Sequence, residues 1–161
     1  MAEPTIAPDS NKPSGSTSSY AALFGHPLHP LLVPVVIGMY VAATLADIGF
    51  NRTSDPFWAR SASWLLLGSV LAGLIAALPG LIDLLSIERA RELSISWYHA
   101  AGNGLFLTVA AVNYAERQSD LQTVSSNQML LTGTGLVLLA ISGWLGGEMT
   151  FRHRIGATDR S

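Results

Sequence analysis

Four apolar stretches, each near the length of a membrane-spanning helix, limit what this chain can fold into. They cover residues 31–50, 61–85, 97–115 and 129–149. A helix needs about 20 apolar residues to cross a hydrocarbon core of about 30 Å, and it satisfies its own backbone hydrogen bonds there. The connections are short, which favours antiparallel neighbours. The sequence therefore predicts an all-α integral membrane four-helix bundle with up-down-up-down topology.

A soluble four-helix bundle is the competing architecture, and the composition disfavours it. Charged residues make up 12% of the chain and hydrophobic residues 49%, whereas about 25% charged residues is usual for a soluble domain. The second and fourth stretches are apolar all round, so they lack the polar outer face that a soluble bundle needs. The third stretch is the least apolar because it contains Asn103 and Asn113.

The chain divides into three parts by composition. Residues 1–24 are rich in Ser, Pro and Thr and predict a disordered polar tail. Residues 25–157 form the predicted transmembrane domain, and 158–161 a short C-terminal tail. The domain opens with Gly-His-Pro-Leu-His-Pro at 25–30, which predicts an extended lead-in, since a residue before proline is kept out of the α region. Pro30 suits the first turn of the helix that follows.

Several classes of function are excluded by what the sequence lacks. The chain has no cysteine, so it has no disulfide, no thiolate zinc site and no Cys-ligated iron–sulfur cluster. Its net charge of −2 provides no basic patch for nucleic acid. It contains no nucleophile elbow, zincin helix or phosphate loop. The pattern favours a binding or electron-transfer protein over a stand-alone enzyme.

Lys and Arg are unevenly divided between the two ends of the predicted bundle, and this division predicts an orientation. The end that carries both termini has six of them: Lys12, Arg89, Arg91, Arg152, Arg154 and Arg160. The opposite end has three: Arg52, Arg60 and Arg117. The positive-inside rule then predicts that both termini lie in the cytoplasm.

All four histidines fall at one end of the predicted bundle, together with acidic and basic residues. In an up-down bundle the first and third helices begin where the second and fourth end, and this brings together His26, His29, His99, His153, Asp83, Glu148, Arg89 and Arg152. Asn103 lies one helical turn from His99 on the same face. One interpretation is a functional site, because ionisable groups at membrane depth usually face the bundle interior. The alternative is structural: polar residues gather at interfaces, and Asp83 or Glu148 pairs with Arg89 or Arg152.

Small residues recur every four positions in the second stretch, at Gly68, Ala72, Ala76 and Gly80. Small side chains let helices approach closely in lipid. They could equally leave a slot for a flat cofactor, which Gly102 would help to line.

The histidine-proline element and a late Gly-Gly-Glu together carry a family resemblance. The chain has His-Pro-Leu-His-Pro at 26–30, Asp83 closing the second stretch, His99 opening the third and Leu-Gly-Gly-Glu at 145–148, followed by His153. Over about residues 24–157 it resembles a family of small bacterial membrane proteins catalogued as domain of unknown function 2231. The resemblance implies a multi-pass protein of the bacterial inner membrane. Relatives are sometimes fused to Rieske-type or cytochrome domains, which implies electron transfer and a b-type haem.

On that basis we expect a cytochrome b-like protein with His29 and His99 as axial ligands and His26 or His153 in reserve. Asp83 or Glu148 would orient a ligand, Asn103 would support it, and Arg89 and Arg152 would meet the propionates. One alternative is a zinc, iron or copper ion at His29 and His99 in a metal-binding or sensor protein. Another is a structural subunit of a larger membrane complex. The expected partners are the lipid bilayer, a Rieske or cytochrome redox protein, and further copies of the chain in a homo-oligomer.

Overall fold

The fold is all-α, as the sequence predicts. The computed structural model describes residues 18–155, of which 81% are helical. The helices are α1 Leu28–Thr53, α2 Pro56–Ser86, α3 Glu88–Glu92, α4 Ser94–Arg117 and α5 Ser126–Phe151. Two short strands, β1 Ala22–Leu23 and β2 His26–Pro27, form an antiparallel hairpin before α1.

The predicted stretches fall inside the four long helices α1, α2, α4 and α5. Three of the described helices, α1, α2 and α5, are long and apolar enough to cross a membrane. The α4 helix is not among them because polar side chains interrupt it, among them His99, Asn103 and Asn113. The membrane character of the chain is thus supported by three helices, and the fourth span stays a prediction.

Local sequence signals set the helix boundaries. The α2 helix begins at Pro56, and the Asp55 carboxylate caps it by accepting from the Phe57 amide at 2.8 Å. The α5 helix begins with a capping box in which Ser125 and Gln128 each accept from the other's backbone amide. In the loop before it, the Gln122 amide and the Thr123 hydroxyl hold the pKa of Asp120 below its usual value.

The long helices pack as two antiparallel pairs. In the first pair, His29 of α1 lies against Gly80 of α2, and Gly49 lies against Trp58, so the two helices run in opposite directions. In the second pair, the start of α4 contacts the end of α5, and Asn113 near the other end of α4 bonds Thr132 near the start of α5.

The two pairs also meet each other, α1 against α5 and α2 against α4. A buried core fills the space between them, and its centre is an edge-to-face contact of Tyr40 and Phe106 with ring centroids 4.9 Å apart. The contacts therefore bring the starts of α1 and α4 and the ends of α2 and α5 to one end of the molecule, which we call the histidine end.

Residues 18–24 of the predicted polar tail lie within the described part of the chain, directly before the histidine-proline element. Residues 18–27, which we call the strap, form the β1–β2 hairpin and bind α2 through Asp83. The prediction for 1–17 lies outside the described residues. The extended lead-in is shorter than predicted, since α1 begins at Leu28. The backbone amide of Leu28 donates to the carbonyl oxygen of Ala21. Pro30 does fall in the first helical turn.

Candidate functional site

His29 and His99 meet at the histidine end, between the two helix pairs. Their ring centroids are 6.0 Å apart and the ring planes are nearly perpendicular, at 88°. Both side chains are half-buried. The sequence predicted that these two residues approach each other, and the structure brings them together from α1 and α4.

Each imidazole is fixed by a backbone carbonyl of the neighbouring helix. His29 Nδ1 lies 2.8 Å from the carbonyl oxygen of Ala76 on α2. His99 Nδ1 lies 2.9 Å from the carbonyl oxygen of Ser142 on α5. A carbonyl oxygen accepts hydrogen bonds, so each Nδ1 carries the proton and each Nε2 is left with its lone pair. This tautomer and this kind of support are typical of histidines that ligate a metal through Nε2.

The arrangement around one imidazole is repeated around the other. Four residues after the accepting carbonyl, a glycine provides the space for the ring: Gly80 after Ala76, and Gly146 after Ser142. A Cβ on Gly80 would lie 2.8 Å from His29 Nδ1, and a Cβ on Gly146 would lie 2.8 Å from His99 Cε1. Neither position accommodates a side chain. The two helix pairs thus present their imidazoles in the same way, although no repeat is evident in the sequence.

The small residues that were expected to line a cofactor slot lie against side chains of the protein. Ala76 and Gly80 contact His29, and Gly102 lies against the hydroxyl of Ser142. That hydroxyl is buried and has no hydrogen-bond partner among the described residues.

Asn103 contacts His99 from one helical turn further along α4. Its amide nitrogen donates to the His99 carbonyl at 2.9 Å and lies 3.1 Å from His99 Nε2. The Nε2 of His99 is therefore engaged by an amide that would have to move before that nitrogen could bind anything else. Among the described residues, no hydrogen bond is made to His29 Nε2.

The remaining predicted site residues lie around the pair without touching it in any described hydrogen bond. His26 is exposed in β2, with Nδ1 3.0 Å from the carbonyl oxygen of Phe24. His153 follows the end of α5 and is half-buried. Glu148 forms an ion pair with Arg152, so one of the predicted structural pairings occurs. Arg89 lies on α3, and its Nε is buried without a partner among residues 18–155.

Asp83 binds the strap. Its carboxylate accepts from the Ser19 hydroxyl at 2.7 Å and from the amides of Tyr20 and Ala21 at 2.8 and 3.0 Å. The orienting bonds on the two central imidazoles come from carbonyls, and the carboxylate instead attaches the N-terminal segment one turn beyond Gly80.

The number of side chains at the histidine pair bears on which group it could hold. Among the described residues no three His, Cys, Asp or Glu side chains are grouped so that they could hold a metal ion. A bare zinc ion needs three or four protein ligands. Haem iron takes four nitrogens from the porphyrin, so one or two side chains complete its coordination. The two imidazoles match in number the side chains that a haem iron would take.

A second polar cluster lies at the opposite end, where the sequence predicted no site. Arg117 of α4 forms a two-pronged ion pair with Asp47 of α1, with N–O distances of 2.8 and 2.7 Å. The two residues are 1% and 2% exposed. The sequence places Arg117 among the charges at this end of the bundle, and the structure directs its guanidinium into the bundle.

Side chains from α4 and α5 complete this cluster. The guanidinium Nε of Arg117 donates to the side-chain oxygen Oδ1 of Asn113 at 3.1 Å, and the side-chain Nδ2 of Asn113 donates to the Thr132 hydroxyl at 2.8 Å. That hydroxyl lies 2.7 Å from an Asp47 oxygen. The polar atoms of the cluster are thus satisfied within the protein, and three helices are joined. The available signal in the sequence was Asp47, an acid inside an apolar run.

Comparison with known proteins identifies the family. No curated protein and no solved structure matches the chain. A family model described as "Predicted membrane protein (DUF2231)" matches residues 25–159, which excludes the N-terminal tail and begins at the histidine-proline element. The family that the motifs resembled is confirmed: this chain belongs to the DUF2231 family of predicted membrane proteins.

Proposed function

We propose that this protein is a four-span membrane protein that binds a b-type haem between His29 and His99 and transfers electrons. The observation that carries the proposal is the imidazole pair, with each Nδ1 held by a backbone carbonyl and each ring supplied by a different helix pair. Bound haem would supply a one-electron redox centre whose potential depends on axial ligands and burial.

The surface of α4 supports its assignment as a fourth span. The helix has 24 residues, which at 1.5 Å per residue gives about 36 Å, enough for a hydrocarbon core of about 30 Å. Its buried side includes Phe106, Asn113 and Arg117, whereas Leu105 and Val112 are exposed. Polar groups directed inward and apolar groups directed outward are what lipid requires of a span.

Exposed aromatic residues mark two levels that fit membrane interfaces. At the histidine end these are Tyr20, Phe24, Trp97, Tyr98, Trp144 and Phe151, and at the other end Phe57, Trp58 and Trp64. Aromatic side chains are enriched at both membrane–water boundaries. Lys and Arg are more numerous at the end that carries both termini, six against three. We propose that the histidine end and both termini face the cytoplasm.

The chain's own residues would perform three tasks in this function. The Ala76 and Ser142 carbonyls hold the protons on the two Nδ1 atoms and aim the Nε2 lone pairs. The Asn103 side-chain amide holds His99 Nε2 while that nitrogen has no other partner. Arg89, whose buried Nε has no partner among the described residues, would bind a propionate group, and Arg152 would do so by exchanging its ion pair with Glu148.

A variant panel tests the haem assignment. The protein should be expressed with ample haem, purified in detergent, and assayed for haem per chain and for spin state. His29→Ala and His99→Ala should each lose haem or become high-spin, because each would remove one of the two side chains proposed to hold the haem iron. His26→Ala is the matched control: it removes an exposed imidazole at the same end and should retain low-spin haem.

Two results would replace the proposal by an alternative. A folded preparation that lacks haem and contains stoichiometric zinc, copper or iron would favour the bare-ion interpretation. A folded preparation that contains neither haem nor metal, and takes up neither when they are added, would favour a structural subunit.

A further inference from the structure

The buried pair of Asp47 and Arg117 lies at a depth where charges are poorly tolerated. The α1 helix has 26 residues, or about 39 Å, which exceeds a hydrocarbon core of about 30 Å by some 4–5 Å at each end. Asp47 lies six residues before the end of α1, or about 9 Å along the axis. Its carboxylate therefore falls inside the hydrocarbon boundary, and the Arg117 guanidinium reaches inward to meet it.

The two helices that carry these charges differ in how well they suit a membrane. The α1 helix is strongly apolar, with a mean hydropathy of 2.1 over its best window, so it can span while carrying one acid. The α4 helix does not qualify as a span on composition among the described helices. The last residue of α4 is Arg117, so the helix can cross the membrane only together with this positive charge.

The polar side of α4 is complementary to the protein and not to lipid. Arg117 bonds Asp47, Asn113 and Thr132, and Asn113 bonds Thr132 in turn. The α1 helix precedes α4 in the chain, so its acid is in place before α4 arrives.

We infer that Asp47 is a pre-placed counter-charge that allows α4 to enter the membrane. This inference rests on the proposed four-span topology. A pair that merely stabilised the finished fold would make both partners equally necessary. A counter-charge for insertion has an asymmetric consequence, since α4 needs Asp47 only while it carries Arg117.

Topology labelling can distinguish a counter-charge for insertion from a pair that only stabilises the finished fold. The sequence contains no cysteine, so an introduced cysteine is the one site at which a maleimide label reports. A cysteine replaces Ser119, in the loop between α4 and α5. In intact cells it should react with a membrane-impermeant maleimide if α4 has crossed. Labelling after the membrane is opened measures the total chain, so the ratio of the two signals reports crossing.

Asp47→Asn should lower this ratio roughly tenfold or more, because it leaves an uncompensated charge. Arg117→Met should leave the ratio at its wild-type value, since α4 then carries no cation. The double variant D47N/R117M should restore crossing. Glu116→Gln is the matched control, because it removes an exposed carboxylate beside Arg117, and it should change nothing.

The outcomes distinguish this inference from the topology on which it rests. If the otherwise wild-type protein is not labelled in intact cells, the proposed topology is wrong, either in the number of spans or in their orientation. If it is labelled and Asp47→Asn is labelled equally, the counter-charge inference is wrong. The inference is also wrong if Arg117→Met fails as badly as Asp47→Asn, or if the double variant does not recover.

Discussion

Replacing Gly135 with alanine should destabilise the protein because a fully buried ring occupies the space that the new methyl needs. A Cβ at this position would lie 2.6 Å from Cζ of Tyr40 and would overlap its hydroxyl. Carbon atoms prefer separations of about 3.5–4.0 Å, so the ring must shift by about 1 Å. Phe106 and the hydrogen bond to the Thr132 carbonyl, at 3.2 Å, oppose that shift.

The expected size of the effect follows from three contributions. Overpacking a close-packed core costs about 1–3 kcal/mol. Loss of the Tyr40 hydrogen bond adds about 0.5–1.5 kcal/mol. Alanine stabilises a helix interior by up to about 1 kcal/mol relative to glycine, which offsets part of this loss. We expect the free energy of unfolding to fall by roughly 0.5–4.5 kcal/mol.

Gly133 on the same helix provides the control. A Cβ there would meet nothing within 4 Å, so Gly133→Ala should be neutral or stabilising by up to about 1 kcal/mol. Both variants can be unfolded by a denaturing detergent in mixed micelles, followed by far-ultraviolet circular dichroism. Tyr40→Phe removes the overlapping hydroxyl, so the double variant with Gly135→Ala should lose less stability than the sum of the single variants. Equal unfolding of the Gly133 and Gly135 variants would refute the reasoning.

Two further predictions concern the histidine end. Gly146→Ala should displace the ring of His99 and lower haem retention, whereas Gly143→Ala, which has open space, should retain haem; equal haem content in the two would contradict the role of the glycine. Asp83→Ala should release the strap, because the carboxylate accepts three of its hydrogen bonds; hydrogen exchange of the strap amides should accelerate while that of the α5 helix stays the same. Unchanged exchange in the strap would show that Asp83 does not hold it.

Much of the fold was predictable because apolar length is a direct signal. Four runs of about 20 residues gave the four long helices, and short connections gave antiparallel neighbours. The meeting of His29 with His99 also followed, since topology alone places the starts of α1 and α4 at one end. Asn103 could be assigned to the same face by helical spacing.

The rest depended on contacts that sequence spacing does not encode. Arg117 is the last residue of a helix, and the sequence does not show whether such a side chain is directed outward or inward. Its inward direction depends on the ion pair with Asp47, which lies on a helix distant in sequence. Asp83 was expected beside an imidazole, but backbone amides of the strap are its partners. Gly80 and Gly146 were visible as small residues, yet the rings that fill the space beside them come from neighbouring helices.

The central claim is that the two imidazoles are axial ligands, and the electron paramagnetic resonance spectrum of the oxidised wild-type protein tests it most directly. The protein should be expressed with ample haem and purified without reductant. Two imidazoles fixed through Nδ1 to the Ala76 and Ser142 carbonyls predict a low-spin ferric signal from haem bound in stoichiometric amount. A high-spin signal that His99→Ala leaves unchanged, or a folded protein without haem, would contradict the account.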